Sequence, residues 1–145
     1  MLKRIEEDLV RLLKENAYSK EELERKEKLH HDEMKKVLLE ILEVLDDFNR
    51  KFINIDPKIQ NADSQTKIWI NNFRSVKKHM ERVINEFGIV EIESIGFKAL
   101  PQYHFVLETK PNDRYEDETI IEEVSKGYLW KKEVLRKAQV VTVRN

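Results

Sequence analysis

The sequence predicts an α+β fold: a long helix pairing as a dimeric coiled coil, a helical hairpin forming a four-helix bundle in the dimer, and a small C-terminal antiparallel β-domain. Three observations carry this prediction. Glycine and proline are absent from Met1 to Ile55, whereas all three glycines lie at or beyond Gly88. Apolar residues in the front half recur at helical spacing. From Ile89 the pattern changes to short β-prone runs separated by turn residues. The boundary therefore separates residues 1–88, the helices, from residues 89–145, the β-domain.

In the first helix, Leu2, Ile5, Leu9 and Leu12 draw one apolar stripe. Met34, Leu38, Ile41, Leu45, Phe48, Phe52 and Ile55 draw another, and between the two the stripe thins, with Leu23 and Leu29 nearly alone among charges. Ser19-Lys20-Glu21-Glu22 has the form of a capping box, which would mark a break near Asn16 to Ser19. A narrow stripe on a charged helix needs a partner helix, and a second copy of the chain is the simplest supply. Asp56-Pro57 ends the helix, because proline disfavours helical geometry in the residue before it. After a polar loop through Asn61, Asp63 and Ser64, a second helix is predicted from about Gln65 to Phe87. Ile68, Trp69, Phe73, Val76, Met80, Val83 and Phe87 form its stripe, and Gly88 occupies the place of a left-handed cap. Two such hairpins make a four-helix bundle. The expected dimer interface is Met34, Leu38, Ile41, Leu45 and Phe48 with Phe73, Val76, Met80 and Val83. Strands are predicted over 89–95, 104–109, 119–124, 128–130 and 139–143, with a short one at Val134-Leu135.

Composition narrows the function. Lys plus Arg (27) nearly balance Asp plus Glu (28), which argues against a general nucleic-acid binder. Without cysteine, disulfides and thiolate chemistry are excluded. Acidic residues interrupt MLKRIEEDLV too early for a signal peptide, and no apolar run approaches the roughly 20 residues of a membrane span. The expectation is a soluble, cytoplasmic protein without membrane partners. His30-His31-Asp32-Glu33 invites a metal reading, but adjacent histidines diverge by about 100° on a helix. No phosphate loop or catalytic triad emerges, so no metal, cofactor or enzymatic activity is expected.

Four segments carry a resemblance to a known family. Lys126-Gly127-Tyr128-Leu129-Trp130 followed by Val134-Leu135-Arg136-Lys137-Ala138 and the alternating valines to Val143 resembles the signature of the GrpE family. Leu42 to Arg50, with Asp46-Asp47 at its centre, is similar to the family motif at the end of its long helix. Glu86-Phe87-Gly88-Ile89-Val90-Glu91-Ile92 is similar to the family's passage from helices to β-domain, and Pro101-Gln102-Tyr103-His104 to its Pro-x-x-His. The resemblance covers about Val37 to Val143 and is poor before about Leu29.

The resemblance implies a homodimeric co-chaperone that binds the ATPase domain of a DnaK-type heat-shock chaperone and promotes ADP release. By that resemblance Asp46, Asp47 and Arg50 approach the chaperone from the helix end, and Val124, Glu133 and Val143 touch it from the β-domain. Pro101, Tyr103 and His104 are expected at the β-domain's exposed edge, with a structural role favoured for His104. Arg136 is left between two roles, contacting the partner or pairing with a neighbouring acid. Gly88, Gly127, Tyr128 and Ala138 are expected to be structural, Gly127 and Tyr128 by setting a turn and packing the β-domain. The sequence departs from the family pattern at Glu43, Ala99-Leu100, Phe105-Val106, Lys132, Glu133 and Lys137. The reversed charge at Glu133 points to a specialised chaperone partner. Two rivals are a scaffolding coiled coil without exchange activity and an enzyme built around His104.

Overall fold

A computed structural model describes all residues, Met1–Asn145. The chain opens with helix α1 (Leu2–Ile55), passes through a 3-10 segment (Asp56–Asn61) and continues in α2 (Ser64–Glu86). Six strands follow: β1 (Ile89–Glu91), β2 (His104–Lys110), β3 (Ile120–Ser125), β4 (Tyr128–Trp130), β5 (Glu133–Arg136) and β6 (Ala138–Val143). Contacts group the chain into two compact units, Met1–Leu38 and Leu39–Asn145. No helix is long and apolar enough to cross a membrane.

Helix α1 does not break near Asn16 to Ser19. With no glycine or proline nearby, the 3.6-residue hydrogen-bond ladder outcompetes the local cap that Ser19 could offer. In the first unit the stripe is uncovered: Leu2, Ile5, Leu9 and Leu12 are all more than half exposed. Its ion pairs, Asp8–Arg11 and Glu22–Arg25, are exposed pairs three residues apart and add little stability.

In the second unit the 3-10 segment begins at Asp56-Pro57, as proline requires, and Asp56 pairs with Arg74 of α2. Arg74 and Lys77 also lie over the Phe52 ring, 5.5 and 5.8 Å from its centroid, and Phe48 stacks on it from one turn earlier. These contacts join the two helices at the hairpin. Asp63 caps α2, accepting from the Thr66 N–H at 2.8 Å, and its hydrogen bonds to Thr66 hold its carboxyl below the ordinary carboxylate range. At the other end Gly88 adopts φ +80, as its cap position demands.

The strands form two sheets, ordered β1-β4-β5 and β2-β6-β3. Pairing is antiparallel except between β2 and β6, which run parallel with His104 opposite Ala138. That one pairing departs from an all-antiparallel reading. The long connection from β2 through β3 to β6 makes it possible, since parallel neighbours need a crossover. The β1 strand is also shorter than predicted. After Glu91 the Ile92 N–H donates to Gly127 O at 2.9 Å, and the chain then turns through Ser94 and Gly96, whose φ is +86.

Strand β6 is central in its sheet and buried at Ala138 and from Val140 through Val143. Ile120, Ala138 and Val140 form a buried cluster, with Ala99 packed against it. Gly127 has no left-handed backbone, so its role is not conformational freedom. A Cβ there would stand 2.4 Å from the Ala138 backbone nitrogen, so glycine is required by close approach of two backbones.

Gly127→Ala should therefore cost on the order of 2–4 kcal/mol, whereas Gly88→Ala, with open space around it, should cost only about 1 kcal/mol of backbone strain. Denaturant titration followed by near-ultraviolet circular dichroism checks the ranking. Equal costs would remove the close-approach argument.

Candidate functional site

The sequence-derived site residues fall into three places. On α1, Asp46, Asp47 and Arg50 lie near the helix end, with Asp46 and Arg50 on one face. Asp46 and Arg50 line a cleft with Val124 of β3, whose side chain is exposed, together with Phe52, Lys126 and Gln139. Asp47 and Arg50 pair with one another on the helix surface.

Asp46 is held differently. Arg136 of β5 reaches it with both terminal nitrogens, at 2.6 and 3.2 Å. The same guanidinium donates to Lys126 O through Nε at 3.0 Å and through a terminal nitrogen at 2.8 Å. Its plane lies over the Tyr128 ring, 5.4 Å from the centroid. Both charged side chains are only about a fifth exposed, at 20% for Arg136 and 19% for Asp46. The planar fork suits this fourfold engagement, which a lysine could not reproduce. Of the two roles left open for Arg136, the structure shows pairing with a neighbouring acid. Asp46 is accordingly engaged within the chain rather than on a solvated face.

Tyr128 is buried beneath this pair, and burial pushes its phenol up to about 12, with the Glu91 carboxylate adding to the shift and Arg136 opposing it. Lys126 pairs with Glu91 at 3.0 Å, tying the chain between β3 and β4 to β1.

The second place is the turn before β2. His104 is buried rather than on an exposed edge, at 7% exposure. Its Nδ1 accepts from the Leu100 N–H at 3.0 Å, while Leu100 O accepts from the Tyr103 and His104 N–H groups. This reciprocal closure joins Leu100 and His104 across Pro-x-x-His: the ring caps the N–H of the residue before the proline. Pro101 is exposed and Tyr103 half-buried, packed edge-on to His104 at 6.4 Å. The exposed edge itself is β2, where Phe105, Val106 and Leu107 are uncovered. The sequence marks all three only as part of a strand, with Phe105 and Val106 departing from the family pattern, because edge position depends on strand order.

The third place is the end of the β-domain. Val143 does not face a partner. It is 1% exposed, and its backbone is bonded to Thr119 and Glu118 on β6's flank. A period-two run reads identically whether one face or both are covered, and here the central strand is covered on both. Glu133 is exposed beside the β4–β5 turn. That turn consists of Lys131 and Lys132, at φ +50 and +63, a region costing non-glycine residues about 1 kcal/mol or more each.

The expected dimer residues divide by exposure. Leu38 and Leu45 are buried in the single chain, Met34, Phe48, Met80 and Val83 are half-buried, and Ile41, Phe73 and Val76 are exposed. The sequence stripe missed Leu42, which is fully buried, and the exposed pair Val37 and Val44 flanking Ile41. Leu38, Leu42 and Leu45 are the inner row of α1, and Val37, Ile41 and Val44 the row beside it. A stripe wider than one seam accommodates both.

In a double-mutant cycle, Asp46→Asn and Arg136→Ala should each cost about 2–3 kcal/mol and couple by about 1–3 kcal/mol. Additive effects would show that the pair is not a unit. At high pH, stability should fall between about pH 10 and 12, because the folded chain holds the Tyr128 proton more tightly than the unfolded chain. The contribution is full below that window and lost as pH rises through it. Denaturation midpoints of Tyr128→Phe across the same window should lack this slope.

A family model described as GrpE matches residues 1–144, including the N-terminal helix that the residue motifs left out. "Protein GrpE" of Chlorobium luteolum is 32% identical over 108 residues, covering 74% of this chain and 54% of the relative. "Protein GrpE" of Gloeothece citriformis is 28% identical over 123 residues, covering 85% of this chain and 42% of the relative. That of Bacillus anthracis is 28% identical over 101 residues, covering 70% of this chain and 51% of the relative. The chain thus spans about half the length of the curated relatives it matches. On the match across residues 1–144, the chain belongs to the GrpE family.

Proposed function

We propose that this chain is a cytoplasmic nucleotide exchange factor: a homodimer that binds the ATPase domain of a DnaK-type heat-shock chaperone, stabilises its open cleft and so promotes ADP release. The observation that carries the reading is family membership over residues 1–144. The geometry supports it. Residues 1–88 serve as the dimerising helices, and the uncovered apolar rows on α1 and α2, Ile41, Phe73 and Val76 among them, are what a second copy would bury. Residues 89–145 serve as the head that meets the chaperone.

Exchange of this kind needs no catalytic side chain. A protein that binds the open cleft more tightly than the closed one shifts the chaperone's population. Linkage then requires that nucleotide affinity fall by the same factor through which nucleotide weakens the factor's own binding. A hundredfold loss of nucleotide affinity corresponds to about 2.7 kcal/mol of preference for the open state. Such a preference can act only through a head that does not yield. The Arg136–Asp46 brace supplies that stiffness between β5 and α1. The surface that meets the chaperone is then drawn from the exposed members of the set: Asp47, Arg50, Pro101, Val124 and Glu133, with half-buried Tyr103 beside them. Asp46, His104, Arg136 and Val143 act from inside by holding that surface in place.

Stopped-flow release of a fluorescent ADP analogue from DnaK-type chaperones tests the reading. Release should accelerate at least tenfold with the full chain and by distinctly less with Arg136→Ala at equal folded concentration, about a tenfold difference corresponding to 1.4 kcal/mol of lost coupling. A dimer that binds no chaperone and leaves release unchanged would instead be a scaffolding coiled coil. If a specialised chaperone responds and a housekeeping one does not, the charge at Glu133 is the first residue to exchange for a basic one.

A further inference from the structure

His104 is the one buried histidine of the chain; His30 and His79 are exposed and His31 is half-buried. Its Nδ1 accepts from the Leu100 N–H, so the ring presents a lone pair there and carries its single proton on Nε2. That Nε2 is buried and has no hydrogen-bond partner. The arrangement serves only the neutral ring. An imidazolium has a donor at both nitrogens and needs two acceptors. Here one nitrogen would meet the Leu100 N–H donor, and the other has no acceptor. A buried charge without partners is costly, so a second proton and the closed turn oppose one another. Neighbouring charges do not relieve this. Glu91, Glu93 and Lys98 line one cleft that His104 borders, together with Tyr103, and Glu116, Asp117, Glu118, Lys137 and Arg144 line a second. All of these charges are exposed, where water screens them, and none bonds to the ring.

We propose that His104 is a proton-operated latch: a second proton, taken up at Nδ1, opens the turn from Leu100 to His104 and releases the start of β2 from β6. The contacts behind the ring define what the latch holds. Tyr103 O accepts from the Ala138 N–H, and His104 pairs with Ala138 at the start of the parallel ladder. Ala99, next to Leu100, packs against the cluster of Ile120, Ala138 and Val140. Loss of the cap therefore acts on the first residues of β2 and β6 and not on the helices. Histidine is the side chain whose ordinary titration falls between about pH 5 and 8, so the signal it reads is mild acid. The device is independent of what the β-domain binds.

Nuclear magnetic resonance of the full chain tests this, through the imidazole nitrogen shifts and amide hydrogen exchange. At about pH 7.5 the nitrogen shifts of His104 should report the proton on Nε2. From about pH 7.5 to about pH 5.5, protection of the Leu100 and Ala138 amides, corrected for intrinsic exchange, should fall about tenfold. That is the change expected when only the open form takes up a proton, at an imidazole's ordinary value of about 6.5. Ile84, buried in α2, should keep its protection over the same interval. His104→Asn places an amide oxygen where Nδ1 stands, an acceptor that cannot be protonated. Whatever its overall protection, the variant's Leu100 and Ala138 amides should change by less than about twofold with pH. The opposite tautomer, or equal protection at both pH values in the parent protein, overturns the inference without recourse to the variant. So does an asparagine variant that keeps the parent's pH dependence, since the proton then acts elsewhere, or a loss shared by Ile84, since the opening is then global.

Discussion

The half-buried charge pair between Arg136 and Asp46 is the constraint on which the second unit depends. One guanidinium joins helix α1, strand β5, the Lys126 carbonyl and the Tyr128 ring. Neither charge is dry enough to impose the full desolvation penalty of a deep ion pair, and neither is wet enough for water to screen the attraction away. An apolar contact in the same place would supply burial without direction. Two parallel hydrogen bonds supply both.

Close backbone contact does for the two sheets what the charge pair does for the head and helix. Gly127 brings the start of β4 against Ala138 at the start of β6, a distance that no side chain permits. Central strand β6 carries the core of its sheet, with Ala138, Val140 and Val143 buried along it. The turn before β2 is closed by the same economy of parts. His104 caps Leu100, and Tyr103 O accepts from the Ala138 N–H at 3.0 Å, which brings the turn to β6 as well. His104 and Val143, which the resemblance places toward a partner, are buried here.

Large apolar side chains remain outside: Phe97, Leu100, Phe105 and Leu107 on the β-domain, with Ile68, Trp69, Phe73 and Val76 on α2. Solvent does not favour such exposure over long, contiguous surfaces. Two kinds of partner in the proposed function, a second copy along the helices and a chaperone at the head, account for both regions.

Much of this architecture was legible in the residues. Freedom from glycine and proline determined a long helix, Asp56-Pro57 its end, Gly88 the cap of α2, and period two the strands from β2 onward. These are local effects, decided by backbone geometry within a few residues. The capping box at Ser19 misled because a local cap competes with a helical ladder whose strength is cooperative. Only tertiary structure decided the rest. That Arg136 meets Asp46, 90 positions away, that β2 lies parallel to β6, that Val143 is inside and Phe105 outside, and that Gly127 serves proximity rather than a turn all follow from which strands become neighbours. Alternation of side chains shows that a strand has two faces. Which face is covered depends on what the rest of the chain packs against it.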